Sequence, residues 1–371
     1  MKMIKLNPRV SIIILNWNGW KDTIECLESL YRITYPNYDV IVVDNGSEDE
    51  SIEKIREYCE GKSRVKSKFF EYSPENKPIK YIEYTREEAE AGGGKERGIA
   101  GLPSNKKMII IKNEKNYGFA GGNNIGMRYS LKALNPDYVL LLNNDTVVDK
   151  DFLTELIKVA ESDERIGIAG CKLINPDGQV QYIGDYMGPY FHEYLRPYCN
   201  KIKILRFLCN KIFGYRLTTD AIAQLNEILE LDEVCGAAML VKCKIIEKIG
   251  LLDEDFFPGY GEETDWCYRA RMSGFKVIYN PNAVVIHYGE STSKKLESNY
   301  LYFIRKKNGL RCGLLNHPIS WLILGIPSHI ISFFGAVLQH RLKYWLKAYW
   351  VNFTDLRNIL TKRKNRKSRI I

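Results

Sequence analysis

Four short runs constrain the fold most: Val10–Leu15 (VSIIIL), Asp39–Val43 (DVIVV), Met108–Ile111 (MIII) and Tyr138–Leu142 (YVLLL). They are apolar and largely β-branched, without polar alternation. A strand that is apolar on both sides needs cover on both faces, as in a parallel sheet. Between the first two runs, Trp20, Ile24, Leu27 and Leu30 recur at helical spacing, and Pro36 ends the pattern. Ser51–Tyr58 reads as a second helix. Strand, helix, strand, helix predicts an α/β fold, with a mostly parallel central sheet flanked by helices.

Further along, Gly121–Leu134, Asp151–Ser162, 218–231 and Glu262–Ser273 read as helices. Ile166–Ile174, Val234–Val241, Lys276–Tyr279 and Ala283–Ile286 read as strands. Residues 60–107 are charged, contain Gly92-Gly93-Gly94 and include short strand-like pieces at 79–84, which predicts a partly mobile insertion. The expected division is a body over 1–315 and a helical appendage over 316–371.

Charge separates these parts. Ten basic residues from Arg341 to Arg369 face one acid, Asp355, a balance equal to the net charge of the whole chain, +9. The body is therefore neutral, which argues against nucleic acid as a partner. A charged content of 27% excludes a polytopic membrane protein. None of the nine cysteines forms a C-x-x-C pair, and no secretory signal is readable, so the expectation is a reduced, cytoplasmic protein.

Five polar clusters sit where chemistry is expected. Asp44-Asn45-Gly46-Ser47 follows the second strand, where open α/β sheets bind ligands. Asp44 there either contacts a ribose or base, or caps a turn. Asn143-Asn144-Asp145 follows the YVLLL strand, and Asp145 either holds a divalent ion on a diphosphate or serves as a cap. Glu262-Glu263 opens a helix, either as dipole-stabilised capping acids or as the source of a general base. His287 ends an apolar strand as a structural histidine, or as a metal ligand beside Asp145. Asn116 to Asn124 (NYGFAGGNN) opens a helix without matching G-x-G-x-x-G, so no dinucleotide fingerprint is present.

The order of these motifs resembles the inverting family 2 glycosyltransferases of GT-A fold, in particular their rhamnosyltransferase-like branch. The similarity spans about 9–175 and 230–312. It is carried by SIIILNWNGW, VIVVDNGSED, NEKNYGFAGGNNIG, YVLLLNNDTVVD, GEETDWCYRARMSGFKV and VVIHYGEST. The resemblance implies donor binding by Asn16, Trp17, Asp44, Asn116, Gly118, Asn123, Asn124, Asn143 and Asn144. It implies Mg²⁺ or Mn²⁺ at Asp145 and His287. Asn143 stands where the family's D-x-D element has its first acid. Glu262-Glu263 stands for the usual E-D pair, and Glu263 is then the base. A nucleotide-sugar donor, dTDP-rhamnose-like or UDP-linked, and a glycan or lipid-linked acceptor follow from the resemblance. The alternative is a membrane-bound carbohydrate-binding protein with a decayed site.

Pro318–Gln339 carries no charged residue. As one helix it would be about 33 Å long, enough for about 30 Å of hydrocarbon. A single span would put the basic tail outside, against the positive-inside tendency. The aromatic stripe from Tyr344 to Phe353 instead predicts peripheral or monotopic attachment to an anionic membrane surface, the alternatives being a single span or a C-terminal helix packed on the body.

Overall fold

The computed structural model describes residues 7–184, 226–289 and 297–370. Strands β1 (Val10–Asn16), β2 (Tyr38–Asp44), β3 (Lys80–Thr85), β4 (Lys107–Lys112) and β5 (Tyr138–Asn143) alternate with helices α1 (Trp20–Leu30), α2 (Ser51–Cys59), α3 (Arg86–Ala91) and α4 (Gly118–Tyr129). Then come β6 (Thr146–Val148), α5 (Phe152–Ser162), β7 (Ile166–Ile174), β8 (Val180–Tyr182), β9 (Leu229–Leu231) and β10 (Ala238–Lys242). Helices α6 (Cys243–Ile249) and α7 (Glu262–Met272) precede the long strand β11 (Lys276–His287). The chain closes with α8 (Ser298–Asn316), α9 (Ile319–Leu324), α10 (Ile326–Leu338), α11 (Leu342–Thr354) and α12 (Leu356–Ile370).

One sheet runs β3-β4-β2-β1-β5-β10-β7-β11-β6, with β8 beside β7 and β9 beside β11. Its first five strands are parallel. Alternate residues feed two cores: Ile12, Ile14, Val40 and Val42 face one side, and Ile13, Ile41 and Val43 the other, all fully buried. Each such side chain contributes roughly 1.5–3 kcal/mol of burial free energy. The chain moves outward from β1 through β2 and then returns to β5 on the opposite side. That reversal leaves a crevice beyond the strand ends. Register brings Asn16 level with Asp44, and Leu15 level with Asn143, at that crevice.

The strand-like piece read at 79–84 within the 60–107 segment is β3, which pairs in parallel with β4 as the sheet's edge. Other expectations change. Leu229–Leu231 is a strand on β11 and not helix, while 218–225 lies outside the described residues. The pieces at 276–279 and 283–286 are one strand, with an irregularity between Asn280 and Val284. The helix read from Gly121 starts at Gly118 and ends in a π-helical turn, Ser130–Leu134.

The C-terminal helices also differ from a free basic tail. The uncharged stretch is broken at Gly325 between α9 and α10. Among the described residues no helix is long and apolar enough to cross a membrane. Helix α12 docks on the body: Lys362 pairs with Asp253 at 2.9 Å, Arg366 with Asp265 at 2.5 Å and Asp253 at 2.7 Å. Arg363 donates to the carbonyls of Leu314 and His317. These three cations therefore answer acids and carbonyls of the body, and not lipid.

Candidate active site

The crevice is lined first by a polar chain joining β1, β2 and β5. Asn16, fully buried, donates from Nδ2 to Asp44 Oδ1 at 2.7 Å and accepts from Thr23 Oγ1 at 2.7 Å. Thr23 in turn accepts from Asn144 Nδ2 at 3.0 Å. Asp44 also accepts from the Ser47 hydroxyl at 2.6 Å and the Ser47 amide at 3.1 Å. Asn16 and Asp44 are thus fixed from within the protein and shape the turn that carries half-buried Trp17.

Asn45 is the second node, and its role was not read from the sequence. Its Oδ1 accepts from Asn113 Nδ2 and the Tyr117 amide, and its Nδ2 donates to Asn116 Oδ1 and the Gly118 carbonyl, all at 3.0–3.1 Å. One buried amide therefore ties the end of β2 to the N-Y-G segment. Gly118 has φ +72°, and a Cβ there would lie 2.8 Å from the Phe257 ring. At Gly122 a Cβ would lie 2.4 Å from Leu15. Close packing at these two positions requires glycine. Asn123 donates to the Phe119 carbonyl. Asn124 is engaged within the protein: its amide bonds the Leu252 carbonyl and Glu254, and its oxygen accepts from the Leu252 amide. It clamps the loop leading to α7.

Antiparallel pairing of β11 with β6 sets His287 opposite Thr146, next to Asp145. His287 Nε2 lies 3.3 Å from Asp145 Oδ1 and 3.4 Å from Asn143 Nδ2. On the other side, His287 Nδ1 lies 2.7 Å from Gln181 Oε1. Gln181 can only accept through that oxygen, so it selects the tautomer with hydrogen on Nδ1 and leaves the Nε2 lone pair toward Asp145. A lone pair and a carboxylate brought together suit a cation, and a ring nitrogen fixed by an outer partner is the usual support of a metal-binding histidine. Among the described residues no group of three or more His, Cys, Asp or Glu forms a metal cage. Two ligands nevertheless fit Mg²⁺ or Mn²⁺, which complete their coordination with water and substrate phosphate. Gln181 escaped the sequence because it acts across 106 residues.

The paired acids open α7. Gly261 at φ +98° turns the chain into the helix, and its amide donates to Glu263 Oε2 at 3.2 Å. Glu262 is 3% exposed, and its Oε2 has no hydrogen-bond partner among the described residues. Burial, then the neighbouring Glu263, pushes the Glu262 pKa well above the ordinary range. Burial raises Glu263 as well. Glu263 is the more accessible of the two. Asn308 of α8 holds the preceding loop through the Phe256 and Gly259 carbonyls, each at 2.7 Å.

The turn before β10 lies between the paired acids and the Asp145–His287 pair. A Cβ on Gly236 would lie 3.4 Å from Glu263 and 3.7 Å from Phe119. The Cys235 thiol feels both Glu263 and Asp145, while the Asn143 amide donates to the Ala237 carbonyl at 2.8 Å. Burial first of all pushes Cys235 up to about 12, so this thiol is no nucleophile. The 235–237 turn thus lies between the Asn143–Asp145 segment with His287 on one side and Glu263 on the other.

The family model for glycosyl transferase family 2 matches residues 11–79, and that for glycosyltransferase-like family 2 matches residues 97–301, more than half of the chain. The protein belongs to glycosyltransferase family 2. This family 2 glycosyltransferase is 26% identical over 300 residues to the low-salt glycan biosynthesis hexosyltransferase Agl10 of Haloferax volcanii, covering 81% of this chain and 73% of that protein. It is 26% identical over 204 residues to the rhamnosyltransferase WbbL of Escherichia coli, covering 52% of this chain and 72% of that one. Among solved structures it is similar to a mannosyltransferase from Pyrobaculum calidifontis in complex with GDP-Man and Mn²⁺. There the TM-score is 0.50 at 13% identity, over 94% of this chain and 76% of the other, a likeness of fold. The GT-A expectation and the rhamnosyltransferase-like resemblance stand. Helices α9 to α12 lie beyond both family matches.

Proposed function

We propose that this glycosyltransferase transfers a hexose, with inversion, from a nucleoside diphosphate to a hydroxyl group. The observation that carries this reading is the position of the 235–237 turn, with Asp145–His287 on one side and Glu263 on the other. Asp145 and His287 would hold Mg²⁺ or Mn²⁺, which when bound would offset charge on the donor's diphosphate. Trp17, with Asn116, Gly118 and the 143–144 amides, forms the donor side. Asn16, Asp44 and Asn123 keep that side in shape.

Glu263 takes the acceptor proton. Its Oε2 is held by the Gly261 amide at 3.2 Å. As the acceptor oxygen bonds the anomeric carbon, the bond from that carbon to phosphate breaks and its electron pair leaves with the diphosphate. No covalent enzyme intermediate is required, and the raised pKa strengthens the base. Glu262, deeper and disfavoured as an anion, keeps negative charge from crowding Glu263.

A dTDP-rhamnose-like or UDP-linked donor fits the rhamnosyltransferase-like relatives. The acceptor is a glycan or lipid-linked glycan of cell-surface polysaccharide or glycoconjugate synthesis, met at the cytoplasmic face of the membrane. Glu263→Gln tests the assignment. Transfer should fall by about 10²–10⁴-fold while nucleotide binding, read by thermal shift with Mn²⁺, is kept. Full transfer by the variant removes Glu263 as the base.

A further inference from the structure

Helices α10 and α11 are built inside out. On α10 the buried residues are Ser328, Ser332 and Ala336. Ile326, Ile330, Phe334 and Leu338, spaced four apart, are 52% to 81% exposed. On α11 the buried residues are Ala348 and Asn352, while Leu346, Trp350 and Phe353 are 51% to 67% exposed. Ile319 continues the surface onto α9 at 69%. Water-facing helices normally show the opposite distribution, and a contiguous apolar surface implies an apolar partner.

Charge and geometry choose the partner. From Pro318 to Thr354 there is no Asp or Glu, and exposed Lys343 and Lys347 flank Leu346 and Trp350 on α11. A second copy joined about a two-fold axis would bring these lysines toward their own equivalents. An anionic lipid surface meets both the apolar stripe and the lysines. Breaks at Gly325 and at His340, with φ +55°, divide the stretch into short helices, which suit an in-plane seat and not a span.

The surface is wired to the catalytic loop. Lys306 of α8 donates to Ser332 at 2.7 Å, and Asn352 donates to the Lys307 carbonyl at 2.9 Å. The next residue of α8 is Asn308, which holds the loop before Glu262.

We propose that α9, α10 and α11 form a monotopic seat in the headgroup layer of an anionic bilayer, holding the cleft beside acceptors carried there. This deepens the membrane-facing reading above, but the seat is measured without turnover. The full chain should float with phosphatidylglycerol-rich vesicles. Phe334→Glu, Leu338→Glu and Trp350→Glu together should lower that partition at least about ten-fold. Lys343→Glu with Lys347→Glu should weaken it only on the anionic vesicles, by about ten-fold or more. Quenching of tryptophan emission by brominated lipid should drop in Trp350→Phe, a substitution that preserves packing. Wild type remaining unbound, or the triple variant floating equally well, overturns the seat. So does a lipid-free dimer that the triple substitution converts to monomer, which would assign the face to a second copy. Vesicle binding with no donor turnover in any variant would instead refute the transferase reading and leave the seat.

Discussion

Removing the Asp265 side chain should loosen the support of α7, because one carboxylate there serves two arginines. Asp265 is fully buried, two residues after Glu263 on α7. It accepts from Arg269 Nε at 2.8 Å, Asn316 Nδ2 at 2.7 Å and Arg366 Nη1 at 2.5 Å. Burial works to raise its pKa, but Arg269 and Arg366 outweigh it and hold the group below its ordinary value. Asp265→Ala leaves Arg269, 6% exposed, without its carboxylate, and its Nη2 already has no acceptor among the described residues. Breaking a buried pair from one side costs about 3–5 kcal/mol. Arg366→Ala leaves Asp265 with Arg269 and Asn316, so its cost is nearer the 1.5–3 kcal/mol or so of a hydrogen bond to a charged group.

The double variant loses the shared pair only once, so its cost should fall below the sum of the singles by about 1–3 kcal/mol. Urea unfolding with linear extrapolation measures all three. The pH dependence has a definite sign. A depressed carboxylate pKa gives stability that is present above the unfolded value, about 3.9, and is lost as pH falls through the folded one. The Asp265→Ala penalty is therefore full at neutral pH and shrinks only in acid. Equal single costs, with additivity to within about 0.5 kcal/mol, would refute the hub.

Two further predictions concern the cleft. Gln181→Ala should raise the Mn²⁺ concentration needed for half-maximal effect by about 10–100-fold, because His287 loses the partner that orients it; an unchanged Mn²⁺ titration in a thermal-shift assay would refute this. Glu262→Gln should gain stability relative to wild type as pH rises above the ordinary carboxylate range, near 4.3. The slope approaches about 1.4 kcal/mol per pH unit until the raised native pKa is passed, since wild type alone must release a buried proton there. A stability difference that is flat with pH would show that Glu262 ionises freely.

The sheet was legible because burial on both faces leaves a local mark: VSIIIL and DVIVV cannot be half-solvated strands. The donor-side turns and Asp145, Glu263 and His287 were legible as positions, since each stands at the end of a strand or the start of a helix. Their supports were not. Asn45 looks like any turn asparagine until its four bonds to the 113–118 segment are seen. Gln181 and Arg366 act over 106 and 101 residues, and no local pattern encodes such pairings. Asn143 reads as a lost acid, yet its amide faces His287 Nε2, a place a first carboxylate would crowd with charge beside Asp145.

The tail shows the same limit from the other side. Composition correctly gives ten cations and an uncharged stretch, but it assigns both to a single partner. In the structure Lys362 and Arg366 of α12 turn inward to Asp253, Asp255 and Asp265. The apolar side chains of α10 and α11 turn outward, over buried Ser332, Ala336, Ala348 and Asn352. A hydropathy profile averages over a helix and cannot report which face is which. Only packing separates them, and it does so because Lys306 and Trp345 both donate to Ser332, fixing the polar edge of α10 toward the body. With that edge anchored, rotating Phe334 and Leu338 inward would forfeit both bonds and turn Ser328 and Ser332 out of the packed face.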